Sequence, residues 1–142
     1  MPKSRTLESL FQLSHSLKRA IHDHVESLGL AITPMHVRVL KVINHLPNCT
    51  AIDISHRLNR DKGQVTRLLN TLIEQDLISK QPNPNDKRSQ CLIIEQQGKQ
   101  ILEKIKNLDQ TVLKQTTTDI SEQELEVFIR TLNKMNDNLS SK

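Results

Sequence analysis

Between Thr50 and Ile94 the spacing of apolar residues changes twice, and that change restricts the folds open to this chain. Val65, Leu68, Leu69, Leu72 and Ile73 fall at i, i+3, i+4, i+7 and i+8, the spacing of a helix with one apolar face. A shorter helix precedes it, with Ile54 and Leu58 facing inward and Thr50-Ala51-Ile52-Asp53 as its capping box. Asn59, between the two, tolerates the left-handed backbone that a helix end needs. Asp61 then caps the longer helix, with Gln64 three residues on to reciprocate. Beyond it, Leu77 to Gln81 reads as a strand, Pro82 to Asn85 as a loop, and Gln90 to Ile94 as the return strand.

Helix, turn, helix and hairpin in that order predict a winged helix-turn-helix module, in a chain that is mainly α with a small β-hairpin wing. The outer face of the second helix carries Gly63, Gln64, Thr66, Arg67 and Asn70. Short polar and cationic groups of this kind suit base edges and phosphates, and a helix presenting them fits a major groove. The wing is expected to end in Asp86-Lys87-Arg88. A formal net charge of +4 is too modest to establish nucleic-acid binding by itself. Its distribution says more. Arg57, Arg60, Lys62, Arg67, Lys80, Lys87 and Arg88 lie in or beside the module, whereas the C-terminal third balances its lysines with acids.

Amphipathic helices bracket the module. Leu10, Leu13, Leu17, Ile21, Val25 and Leu28 form one stripe between Arg5 and Leu28, and Gly29 is a C-terminal stop. Thr33-Pro34 opens a second helix that Val37, Leu40, Val42 and Ile43 carry to Pro47. From Gly98 onward, Ile101, Ile105, Leu108 and Val112 make a seam for packing on other helices. Ser121 to Glu124 is a capping box for a last helix whose expected buried side is Leu125, Phe128, Ile129, Leu132 and Leu139. Residues 1–32 therefore read as an N-terminal dimerisation helix, 33–97 as the DNA-binding module and 98–142 as C-terminal dimerisation helices, within one compact chain. Hydrophobic residues are only 35% of the sequence, and Phe11 and Phe128 are its sole aromatics. A lone module this thin buries little, which favours a core shared between two copies. Helix-turn-helix dimers read half-sites about one helical turn apart.

With these residues in hand, the chain resembles the MarR family of transcriptional regulators. The matching pieces are Ile32 to His36, Asp61-Lys62, Val65 to Leu68, Leu72 to Leu77, and Pro84 to Arg88. The resemblance implies a homodimer whose terminal helices dimerise. It implies a pseudo-palindromic double-stranded DNA operator, a repressor role, and release of DNA by a small-molecule effector. On that pattern Lys62, Gly63, Gln64, Thr66 and Arg67 face the major groove and its phosphates, with Asn70 beside them. Arg88 matches a wing arginine that enters the minor groove, and Asp86 an acid that orients the wing's arginines. Four positions depart from the family pattern. Asp76 replaces a glycine before the wing, Lys87 replaces a wing arginine and loses its planar fork, Glu95 replaces a capping threonine, and Arg60 occupies a turn position more often apolar. Arg60 reads either as an extra phosphate contact or as a solvated side chain.

An effector pocket, where helices one, two and five meet the module, would have His15, Arg19, His36 and Arg38 as its polar candidates, with surface positions as the competing reading. Cys91 is expected to be a buried thiol. Cys49, near a helix N-terminus, is a candidate for a lowered pKa. No histidine follows His56, which argues against metal control, and no metal or other cofactor is expected. No metal triad, phosphate-cradling glycine loop or nucleophile elbow is present, so an enzyme is not expected. Lack of a long apolar run or a signal-peptide h-region leads to the expectation of a cytoplasmic protein without a membrane span. The competing function is a winged-helix protein-interaction module, an adaptor with no DNA site of its own.

Overall fold

A computed structural model describes residues 2–140; residue 1 and residues 141–142, the extremes of the two segments expected to dimerise, lie outside the described residues. The element order is α1 (Pro2–Glu26), α2 (Pro34–His45), α3 (Ala51–Leu58), α4 (Lys62–Glu74), β1 (Ile78–Asn83), β2 (Asp86–Ile94), α5 (Gln96–Thr116) and α6 (Glu122–Ser140). The chain forms two compact units, residues 1–109 and 110–142, and α5 runs from the first into the second.

In the first unit, local chemistry sets the helix ends. Thr33 and Thr50 each accept the backbone N–H three residues on, and His36 and Asp53 bond back to complete both capping boxes. Asn59 closes α3 in the left-handed region at φ 51°, as its short polar side chain permits. Asp61 accepts the Gln64 N–H at 2.8 Å. The reciprocal bond expected from the Gln64 side chain is not made, and that side chain turns into a surface hollow instead. Asp76 holds the left-handed turn into the wing at φ 60°, so the loss of glycine there is accommodated. Replacement of threonine by Glu95 leaves α5 starting at Gln96, with the Lys99 N–H on the Glu95 carbonyl at 2.9 Å. The Glu95 carboxylate takes the Ser79 hydroxyl.

Val39, Leu40, Ile54, Val65, Leu72, Leu77 and Ile78 are fully enclosed and form the centre of the core. Ile101 and Ile105 of α5 close it from another side. Two free cysteines belong here as well, both at 0% exposure. Their chain segments meet where the Leu92 N–H donates to the Cys49 carbonyl at 2.8 Å. Burial, then Asp53 and Cys91, push the Cys49 thiol up to about 11, against the lowering expected beside a helix N-terminus. A thiol so rarely ionised is a packing group.

The wing differs from expectation at its tip. The strands pair Ile78 with Ile94 through Pro82 with Gln90, then jump to Asn83 with Asp86. The turn is thus Pro84-Asn85, and Asp86, Lys87 and Arg88 belong to β2 rather than to the tip. Lys87, Arg88 and Ser89 bulge from the ladder between two pairings. Pro82 and Pro84, which suggest a loop in sequence, fit because a two-stranded hairpin consists of edge strands only.

The α1 stripe is only partly covered. Val25 is buried and Leu10, Ile21 and Leu28 are half-buried, but Leu13 and Leu17 are 41% and 39% exposed, and Leu7 and Phe11 are more open still. In the second unit Val112 is buried, and the Ser121–Glu124 capping box forms. The expected buried side of α6 is not buried within one chain: Leu125 and Leu132 are half-covered, and Phe128, Ile129 and Leu139 are exposed. A stripe in sequence says that a helix needs a cover, and a single copy does not supply all of it.

Candidate nucleic-acid interface

Helix α4 packs on the core through Val65, Leu69 and Leu72. Helical geometry then turns Gly63, Arg67 and Asn70 directly away from the core, with Gln64 and Thr71 on one flank and Thr66 on the other. Lys62, Gly63, Gln64, Thr66, Arg67 and Asn70 are all exposed, and no carboxylate lies between Lys62 and Thr71. The Thr66 hydroxyl donates to the Lys62 carbonyl at 2.9 Å, which leaves its oxygen lone pairs and its methyl group facing outward.

Arg60 joins this surface from the turn. Its N–H donates to the Ser55 carbonyl at 3.1 Å, and its own carbonyl accepts the Ser55 hydroxyl at 2.5 Å. That double tie fixes the backbone from which the guanidinium projects. Arg60, Gln64 and Arg67 meet Met35, His36, Leu68 and Thr71 around an open hollow of about 510 Å³. His36 is therefore brought together with α4. His15 and Arg19 on α1 and Arg38 on α2 are exposed and do not line that hollow. The signal for His36 was present in the sequence as Thr33-Pro34-Met35-His36, a capping box with histidine as the reciprocating residue. Its Nδ1 accepts the Thr33 N–H at 2.9 Å, and burial lowers its pKa. The bond from the Thr33 N–H to Nδ1 is the one that the tautomer with its proton on Nε2 can accept.

On the wing, Lys87 and Arg88 are exposed. Asp86 accepts the Arg88 backbone N–H at 2.9 Å and makes no ion pair with Lys87 or Arg88 among the described residues. Its carboxylate sets the main chain of the bulge, and the cationic side chains stay free for a partner. Asn83 braces the same tip, accepting the Asn85 N–H and donating to the Ser89 hydroxyl, each at 2.9 Å. Two surfaces whose cations make no ion pair among the described residues, a helix and a hairpin, thus stand on one module.

The MarR family model matches residues 32–90, from just before α2 to the middle of β2. An uncharacterized HTH-type transcriptional regulator of Bacillus subtilis, YdgJ, is 24% identical over 138 residues, spanning 97% of this chain and 83% of the relative. The MepR–DNA complex of Staphylococcus aureus superposes with a TM-score of 0.81 at 23% identity, covering 96% of this chain and 98% of that one. A mutant MarR of E. coli complexed with operator DNA gives 0.78 at 24% identity, covering 94% and 96%. Both likenesses establish the winged-helix fold with its long terminal helices. An uncharacterized HTH-type transcriptional regulator of Staphylococcus aureus is 30% identical over 100 residues, 68% of this chain and 66% of the relative, and with the family model over residues 32–90 it places the chain in the MarR family of transcriptional regulators.

Proposed function

We propose that this regulator binds double-stranded operator DNA as a homodimer and acts as a repressor. The observation that carries the DNA reading is the outer surface of α4: five exposed polar or cationic side chains, Lys62, Gln64, Thr66, Arg67 and Asn70, with Gly63 between them and no acid among them. Arg67 and Gln64 have the donor sets that read guanine and adenine edges, and Lys62 suits a phosphate. Lys87 and Arg88, held out by the bulge in β2, suit the narrower neighbouring groove. MepR and E. coli MarR, whose folds this chain shares, are known in complex with DNA, which supports DNA binding here. Family members are transcription regulators and not enzymes, in keeping with this role.

The dimer reading rests on the uncovered apolar residues of the terminal helices, Phe11 at 71% exposure and Ile129 at 55% among them. Large apolar surfaces of this kind mark association sites. Symmetry then supplies two recognition helices, one for each half of a pseudo-palindrome. Release by a small effector, as the family resemblance implies, would act by favouring one of two spacings between those helices.

Titration of a labelled duplex at several salt concentrations, with sedimentation of the free protein, tests both parts. Binding whose affinity falls steeply with salt, by a species of twice the chain mass, is the expected result. A monomer at micromolar concentration, or salt-independent binding, would overturn it.

A further inference from the structure

The hollow beside α4 has a composition that the DNA reading does not by itself require. Two guanidiniums, Arg60 and Arg67, share it with the His36 ring and the Gln64 amide, and no carboxylate lines it. Neither arginine takes part in an ion pair among the described residues, where the pairs are His22 with Asp23 and Glu26, and Lys41 with Asp109. Like charges gathered in one recess repel each other, and an anion seated between them reverses the sign of that interaction. Arg60 reaches the hollow from a backbone tied at both its N–H and its carbonyl to Ser55, so the point from which its side chain projects is set before any ligand arrives.

His36 enters from the other wall, on the first turn of α2. Its Nδ1 is committed to the Thr33 N–H, which leaves Nε2–H as the only polar group it can offer. An imidazole N–H, two guanidiniums and the Gln64 amide give a lining rich in donors and free of carboxylate, complementary to an oxyanion with several acceptor oxygens. Gln64 and Arg67, exposed on the outer surface of α4, line the hollow, so a duplex docked on that surface would bring its backbone near it.

We propose that this hollow is the seat of one DNA backbone phosphate, gripped by Arg60 and Arg67 with His36 as an N–H donor from α2. The proposal rests on the DNA-binding reading above. It turns Arg60 from a solvated turn residue into a positioning contact, and it adds His36 to the interface. It also sends the Arg67 guanidinium to the backbone, so base discrimination passes to its neighbours on α4.

The test uses the full-length protein and a duplex that the wild type enriches from a random pool. Arg60→Gln should weaken binding about tenfold and lower the salt slope by about one unit, because one phosphate contact is lost. His36→Gln should weaken binding while leaving the slope unchanged at pH 8, since no charge is removed. Circular dichroism checks that each variant is folded; Arg60 is exposed, so its substitution is the safer arm. A scan replacing each phosphate in turn by a neutral methylphosphonate should find one position that costs the wild type but is nearly silent in Arg60→Gln. Equal penalties in both proteins at every position would overturn the seat while leaving DNA binding intact. Absence of wild-type binding to any duplex would sink the DNA reading itself. Saturable binding of inorganic phosphate to the free protein, lost in Arg60→Gln and without the methylphosphonate coupling, would make the occupant a small free anion and refute the proposal.

Discussion

Gly98→Ala is a substitution on which two physical effects oppose each other, and the structure decides the winner. Gly98 lies in the first turns of α5, where alanine is the better helix former by about 1 kcal/mol. A Cβ at this position would lie 2.2 Å from the Leu77 carbonyl oxygen and 3.0 Å from the Ile94 side chain. Even a weak C–H···O contact keeps roughly 3.3 Å, so the overlap is about 1 Å against backbone. That same carbonyl accepts the Glu95 N–H at 2.9 Å, so moving it away also strains the junction of wing and helix. Overpacking of this kind costs about 1–3 kcal/mol, and the strained hydrogen bond about 1 kcal/mol more. Set against the helical gain, the net expectation is a loss of about 2 kcal/mol. Gly63→Ala is the control, because the nearest atom to its added Cβ is the Asp61 carboxylate oxygen at 3.4 Å. It should leave stability unchanged or slightly raised, yet weaken DNA binding, since the new methyl projects from the outer face of α4. Urea unfolding of both variants, with duplex titration of Gly63→Ala, reads each arm. A Gly98→Ala protein as stable as the wild type would refute the packing argument.

Other expectations follow from particular side chains. Cys49 is raised from 9.0 to about 11, so its stabilising neutral form is fully present below pH 9 and lost as pH climbs toward 11. About 2 kcal/mol should disappear by roughly pH 10.5, an alkaline limb that Cys49→Ala should shorten in urea titrations. His36 is lowered by burial, so stability is full above its ordinary value of 6.5 and falls on acidification below it. His36→Gln should flatten that part of the acid limb, measured between pH 8 and about pH 5.5. Arg88→Ala should lower duplex affinity at every salt concentration and reduce the slope by about one, whereas an unchanged slope would remove the wing from the interface. Phe11→Glu should shift sedimentation from dimer toward monomer, and a dimer of undiminished affinity would place the association surface elsewhere.

Features decided within four residues of chain were the ones most legible in the sequence. Thr33, Thr50, Asp61 and Ser121 act as caps where their neighbours demand it, and Asn59 and Asp76 take the left-handed turns expected of short polar side chains. The core face of α4 followed from period alone. What escaped depends on segments far apart in sequence. The approach of Cys49 to the strand bearing Cys91 sets the thiol's environment, and nothing near Cys49 in sequence announces it. The hollow joins His36 to Arg60 and Arg67 across two turns and a helix. Lys41 pairs with Asp109 at 2.6 Å over 68 positions. The wing tip was displaced for another reason: prolines tolerated on edge strands look in sequence like the loop itself. Apolar stripes on α1 and α6 were recognised as needing cover, but period does not say whether that cover comes from the same chain.

Selection of duplexes from a random pool by the wild-type protein tests the central claim most directly. The account predicts an enriched inverted repeat whose half-site centres lie about one helical turn apart, bound with a steep salt dependence. A pool that stays random, with no salt-dependent retention of any duplex, would contradict it.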